Sequence, residues 1–174
     1  MIMQYMSKSL FISVIVCLVF STNVMAACDL ERFSFGSSYN KVQKHFGSML
    51  ESAPVSRQMF TMPGEEVCAG ERTFVGVPVF FTFLYDKLVQ IEVNRLSKKP
   101  LLGPWAESVY GTKPDKPPSY FGNQPNAQWS WESSSKVILY SITTQGLEMT
   151  EYLQIQSTMH QHLFERLASE EESN

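Results

Sequence analysis

The chain has 174 residues, with 14 Lys and Arg against 17 Asp and Glu, a formal net charge of −3, and 44% hydrophobic residues. That is enough chain for one real core, and far from the basic surface that displaces counterions from a polyanion. Nucleic-acid binding is excluded as an expectation, and a single domain is favoured.

The chain opens with Lys8 as the only charged side chain of its first 26 residues. An apolar run follows from Leu10 to Phe20, then the polar break Ser21-Thr22-Asn23 and the small-residue junction Val24-Met25-Ala26. The run is too short to span a hydrocarbon core of roughly 30 Å, and the junction suits a signal peptidase. The pattern predicts a signal peptide over residues 1–26, cleavage after Ala26, and a periplasmic or secreted product. That product would hold 148 residues and carry a net charge of −4.

Cys17 departs with the signal, leaving Cys28 and Cys68. In an oxidising compartment an even pair predicts a disulfide, which would contribute roughly 4 kcal/mol through loop closure. The alternative is a lipoprotein acylated on Cys28, which would bring the product to a membrane. It is weakened by Met25, where such signals carry Leu, and it would strand Cys68.

Gly36-Ser37-Ser38 opens a helix that either serine could cap, with Tyr39, Val42 and Phe46 at helical spacing and Gly47 closing it. Residues 48–70, with Pro54, Pro63, Gly64 and Gly70, read as irregular. Phe74 to Tyr85 reads as a strand kinked at Gly76 or Pro78, turning at Asp86-Lys87. Leu88 to Arg95 answers it, with Val89, Ile91 and Val93 on one face and Gln90, Glu92 and Asn94 on the other. Pro104 to Tyr110 reads as a short helix ended by Gly111, before a proline-rich loop. Three strands follow, over residues 128–131, 136–142 and 149–157, with Trp129 and Trp131 on one side of the first. Ser157 or Thr158 would cap a last helix carrying Met159, Leu163 and Leu167.

This order predicts an α+β domain, with helices packed on one face of an antiparallel sheet. It comprises two α-β-β units, at about 36–95 and 101–157, and a C-terminal helix at about 158–169.

Gly36-Ser37-Ser38-Tyr39-Asn40-Lys41-Val42 with Phe46-Gly47, and Phe81-Thr82-Phe83 before Lys87-Leu88-Val89-Gln90-Ile91, resemble the helix and strand–turn–strand of the BamE/SmpA outer-membrane assembly lipoproteins. The same module, doubled, is similar to β-lactamase inhibitory proteins. The resemblance covers about a third of the exported chain and implies an envelope protein that binds other proteins. That family is lipid-anchored, and its single-unit members lack the second half present here.

No G-x-S-x-G, H-E-x-x-H, phosphate loop or G-x-G-x-x-G occurs, so no catalytic residue, cofactor or metal ligand is assigned. His160 and His162 lie two apart on a helix and diverge, and His45 reads as a rim residue. Glu65, Glu66, Glu71 and Glu92 have no spacing that selects a catalytic pair. The loop from Lys113 to Phe121 is stiffened by prolines and ends in two aromatics; Lys113, Lys116, Tyr120 and Phe121 are its candidate partner contacts. The expected function is a non-catalytic periplasmic protein-binding module accessory to envelope assembly, its partner another envelope protein. The alternatives are an inhibitor or immunity protein against a secreted hydrolase, and a small-ligand binder or enzyme.

Overall fold

A computed structural model describes Cys28 and residues 30–47, 56–111, 120–121 and 124–173. The signal segment, Lys113 and Lys116 lie outside the described residues.

The helix α1 (Tyr39–His45) starts where Ser38 Oγ accepts from the Lys41 N–H at 3.3 Å. It ends at Phe46 and Gly47, the latter in the left-handed region at φ 72°. The strand β1 (Arg57–Pro63) and the one-turn helix α2 (Gly64–Val67) occupy part of the stretch expected to be irregular. The expectation missed β1 because its residues are mostly unbranched or polar; its partner strand makes it a strand. A 3₁₀ turn at Arg72–Phe74 and Gly76, at φ 69°, precede β2 (Pro78–Leu84), so the strand begins after the expected kink. Tyr85 and Asp86, at φ 49° and 60°, turn the chain into β3 (Lys87–Ser97), one residue earlier than expected. The helix α3 (Leu102–Tyr110) carries Pro104 in its first turn and Gly111 just past its end. The short strand β4 (Tyr120–Phe121), then β5 (Gln124–Glu132), β6 (Lys136–Gln145) and β7 (Glu148–Ser157), lead to the helix α4 (Gln161–Glu172).

All pairings are antiparallel, in the order β1-β2-β3-β7-β6-β5-β4. The fold is α+β, as the sequence predicts. The first half supplies α1 and the meander β1-β2-β3 and the second supplies α3 and the run β4-β5-β6-β7, so each carries more strands than the α-β-β pattern expected; the halves join where β3 pairs with β7 over Gln90–Ser97 and Met149–Gln156. Among the described residues, no helix is long and apolar enough to cross a membrane.

One sheet face carries the core: Val79, Phe81 and Phe83 of β2, Ile91 and Val93 of β3, Leu153 and Ile155 of β7, and Ile138 and Tyr140 of β6. Tyr39 and Phe46 of the α1 segment meet Phe83 and Phe81 edge-on or tilted, with centroids 5.1 and 6.0 Å apart. Trp105 of α3 meets Phe74 edge-on at 4.9 Å. Trp129 stacks on Tyr140 at 5.4 Å, so the tryptophan side of β5 faces inward. Cys28 and Cys68 form a disulfide, with Cα atoms 4.5 Å apart and both residues buried. It ties the start of the described chain to the end of α2 and engages the thiol that acylation would need.

The last helix departs from expectation at its start. Its N-cap is His160, without a side-chain cap bond. Ser157 Oγ is instead paired with His160 Nδ1 at 2.8 Å, and Thr158 Oγ1 donates to the Ser134 carbonyl at 3.0 Å. Met159, expected on the apolar stripe, precedes the helix and is exposed, whereas Leu163 and Leu167 are half-buried.

Candidate interaction surface

The alternation that points β2 and β3 inward leaves a second sheet face, buried at Thr82 and Leu84 beside α4 and more exposed over β3, β7 and β6. Register defines its rows. One runs Thr61, Phe80, Glu92, Gln154, Leu139, Ser130 across β1, β2, β3, β7, β6 and β5. The next runs Met59, Thr82, Gln90, Gln156, Val137, Glu132. A third holds Asn94, Tyr152, Ser141 and Gln128.

At the centre of this face the polar side chains bond to one another. Tyr152 Oη donates its one proton to Glu92 and lies 3.1 Å from Gln154 Oε1. Gln154 Nε2 reaches Gln90 Oε1 at 2.8 Å and Gln156 Oε1 at 2.9 Å. Gln156 Nε2 continues to Gln161 Oε1 of α4 at 3.3 Å. Burial, reinforced by the hydrogen bond and negative charge of Glu92, holds the Tyr152 phenol well above the usual tyrosine range. It stays a neutral donor. Phe80 and Leu139 flank Glu92 and Gln154 within their row and are half-buried. The result is a platform of oriented amides, a carboxylate and a phenol between apolar side chains.

α4 borders one end of this platform. It leaves β7 beside Gln156 and reaches the β2–β3 turn, where Glu170 Oε2 accepts from Tyr85 Oη at 2.8 Å and Arg166 lies over the Tyr85 ring at 4.1 Å. Bonds from Arg166 and Tyr85 hold the Glu170 carboxyl below its ordinary value. The His160 ring packs against Gly36, whose Cβ would lie 3.1 Å from Nε2. Burial, then the charges of His162 and Lys87, lowers its pKa and favours the neutral ring. With Nδ1 paired to the buried Ser157 hydroxyl, the ring joins the start of α4 to the end of β7 and to Gly36.

The acids named from the sequence do not converge. Glu65 Oε2 accepts from the Gly76 N–H at 3.1 Å, Glu71 Oε1 accepts from the Thr73 N–H at 3.0 Å, and Glu92 belongs to the platform. His45 sits at the rim against Phe33, 5.0 Å between centroids. No group of three or more His, Cys, Asp and Glu suited to a metal occurs among the described residues. Of the candidate partner contacts, Tyr120 and Phe121 form β4, paired with Gln124 and Pro125 at the sheet edge opposite β1.

Two features escaped the sequence reading. Glu151 is 0% exposed on the core side, and its carboxylate accepts from the Leu101 N–H at 2.9 Å, the Gly103 N–H at 3.1 Å and Tyr140 Oη at 2.8 Å. It satisfies open amides at the start of α3, which has no cap of its own. A Cβ on Gly103 would lie 2.8 Å from the Tyr140 ring, so only glycine lets α3 approach this closely. The second feature is an apolar cleft of about 350 Å³, lined by Thr61, Met62, Pro63, Glu65, Gly76, Val77 and Pro78.

Compared with protein-family models, curated proteins and solved structures, the chain matches none.

Proposed function

We propose that the protein is a non-catalytic protein-binding module of the cell envelope, exported by residues 1–26, that engages another envelope protein through its open sheet face. One observation carries the reading: the hydrogen-bonded platform Tyr152–Glu92–Gln154–Gln90–Gln156 on the face that α1 and α3 leave uncovered. Side chains already held by one another lose little rotamer freedom on binding, so a partner gains oriented donors and acceptors at reduced entropic cost. Polar contacts framed by Phe80 and Leu139 match the mixed character of protein interfaces. The export pattern, the Cys28–Cys68 disulfide and the first unit's resemblance to outer-membrane assembly lipoproteins favour an envelope setting.

The test is site-specific photo-crosslinking in native envelopes. A crosslinker at Ser141, on the platform, should yield one discrete adduct that Glu92→Arg abolishes; a crosslinker at Lys44, on exposed α1, should not yield it. Equal adducts from both positions, or none from Ser141, would sink the reading.

A further inference from the structure

Among the described residues β1 pairs only with β2, and no described strand takes its other edge. The hydrogen-bond phase follows from two prolines. Pro63 lies opposite Pro78, and neither has an N–H, so that pair cannot exchange ladder bonds. The neighbouring bonds Gly64 N–H to Val77 O at 2.7 Å and Tyr85 N–H to Ser56 O at 3.0 Å set the same phase. The even-numbered residues of β1 therefore bond to β2. Arg57, Met59 and Thr61 direct their N–H and C=O groups to the open edge, and Pro63 directs its C=O there.

That edge lacks the usual defences in its middle. Met59-Phe60-Thr61 has no charge, no proline and no bulge, and Met59 is 56% exposed. Its ends are opposite in chemistry. Arg57 is exposed at the start; beyond Pro63 lie exposed Glu65 and Glu66 and the apolar cleft of Met62, Pro63, Val77 and Pro78.

We infer that the open edge of β1 is completed by β1 of a second copy of this chain, antiparallel about a two-fold axis at Phe60. In that register Met59 and Thr61 exchange ladder bonds with Thr61 and Met59 of the other copy. The Pro63 carbonyl accepts from the other copy's Arg57 N–H, and because proline has no N–H the Arg57 carbonyl at each end of the ladder is left to water. Phe60 faces its own counterpart at a non-hydrogen-bonded pair, where side chains approach most closely. Each Arg57 lays its aliphatic stem along the other copy's cleft and its guanidinium beside Glu65 and Glu66. A self-complementary edge of this kind closes at two copies rather than growing into a filament. This inference does not rest on the partner-binding reading, since it uses the sheet edge and not the open face.

Sedimentation of the chain lacking residues 1–26, from micromolar to millimolar concentration, should show a reversible, salt-weakened dimer. Arg57→Glu, a change at an exposed position, should raise its dissociation constant about tenfold or more. Combining it with Glu65→Arg and Glu66→Arg should restore association. Thr61→Pro removes an outward N–H while sparing the β2 ladder, so it should abolish the dimer with an unchanged circular dichroism spectrum. A monomer at every concentration, or a dimer indifferent to Arg57→Glu, would overturn the inference. Neither result would touch the Ser141 crosslink.

Discussion

The two halves of the molecule seat their helices by opposite means. α1 is fixed locally: Ser38 caps it three residues before Lys41, Gly47 ends it, and Asp86 of the adjoining hairpin accepts from the Tyr39 N–H at 2.8 Å. The Cys28–Cys68 disulfide and the Phe33–Phe46–Phe81 cluster then hold its surroundings. α3 has no side-chain cap of its own. Its first turn is held by Glu151, reaching from β7 across 48–50 residues of sequence, with Tyr140 of β6 sharing the carboxylate. The comparison teaches that a local cap distributes modest stability over several contacts, whereas a buried long-range pin concentrates it in one side chain.

The largest expected effect breaks the pin. Glu151→Ala would remove the carboxylate that accepts from the Leu101 and Gly103 N–H groups and from the Tyr140 hydroxyl, at on the order of 4 kcal/mol. Thermal melting should fall by about 10 °C, and hydrogen exchange should rise first in the amides of α3. If α3 amides stayed as protected as those of β7, the pin would not be what seats that helix. The disulfide comes next. Cys68→Ser should cost about 3 kcal/mol, read as a lower denaturation midpoint with an unchanged slope, and free thiols in the purified wild-type protein would contradict it. The smallest effect tests the local cap. Ser38→Ala should cost about 1 kcal/mol or less by denaturant titration, because Asp86 and the aromatic cluster remain. A Ser38 loss as large as that of Glu151 would erase the distinction between the halves.

The same contrast explains what was legible beforehand. The helix at 39–45, the β2–β3 hairpin, the tryptophan side of β5 and the Cys28–Cys68 bond all rest on signals a few residues long or on a forced pairing of two cysteines. The polar face was legible as the alternation Gln90, Glu92, Asn94, but not as a platform, because Gln154 and Gln156 come to it from β7. β1 was unreadable because a strand of unbranched and polar residues carries little propensity until β2 supplies a ladder. Glu151 looked like any other acid in an alternating strand, since nothing adjacent to it announces the amides of Leu101 and Gly103.

The amino-acid sequence by itself determined the fold class and the inward and outward faces of the central hairpin, because periodicity, capping and turn chemistry act over a few residues. Only the tertiary structure decided which strands meet at the centre, which edge stays open and which acid is buried. Those outcomes depend on the β3–β7 pairing, where residues about 60 apart in the chain become neighbours through a shared core.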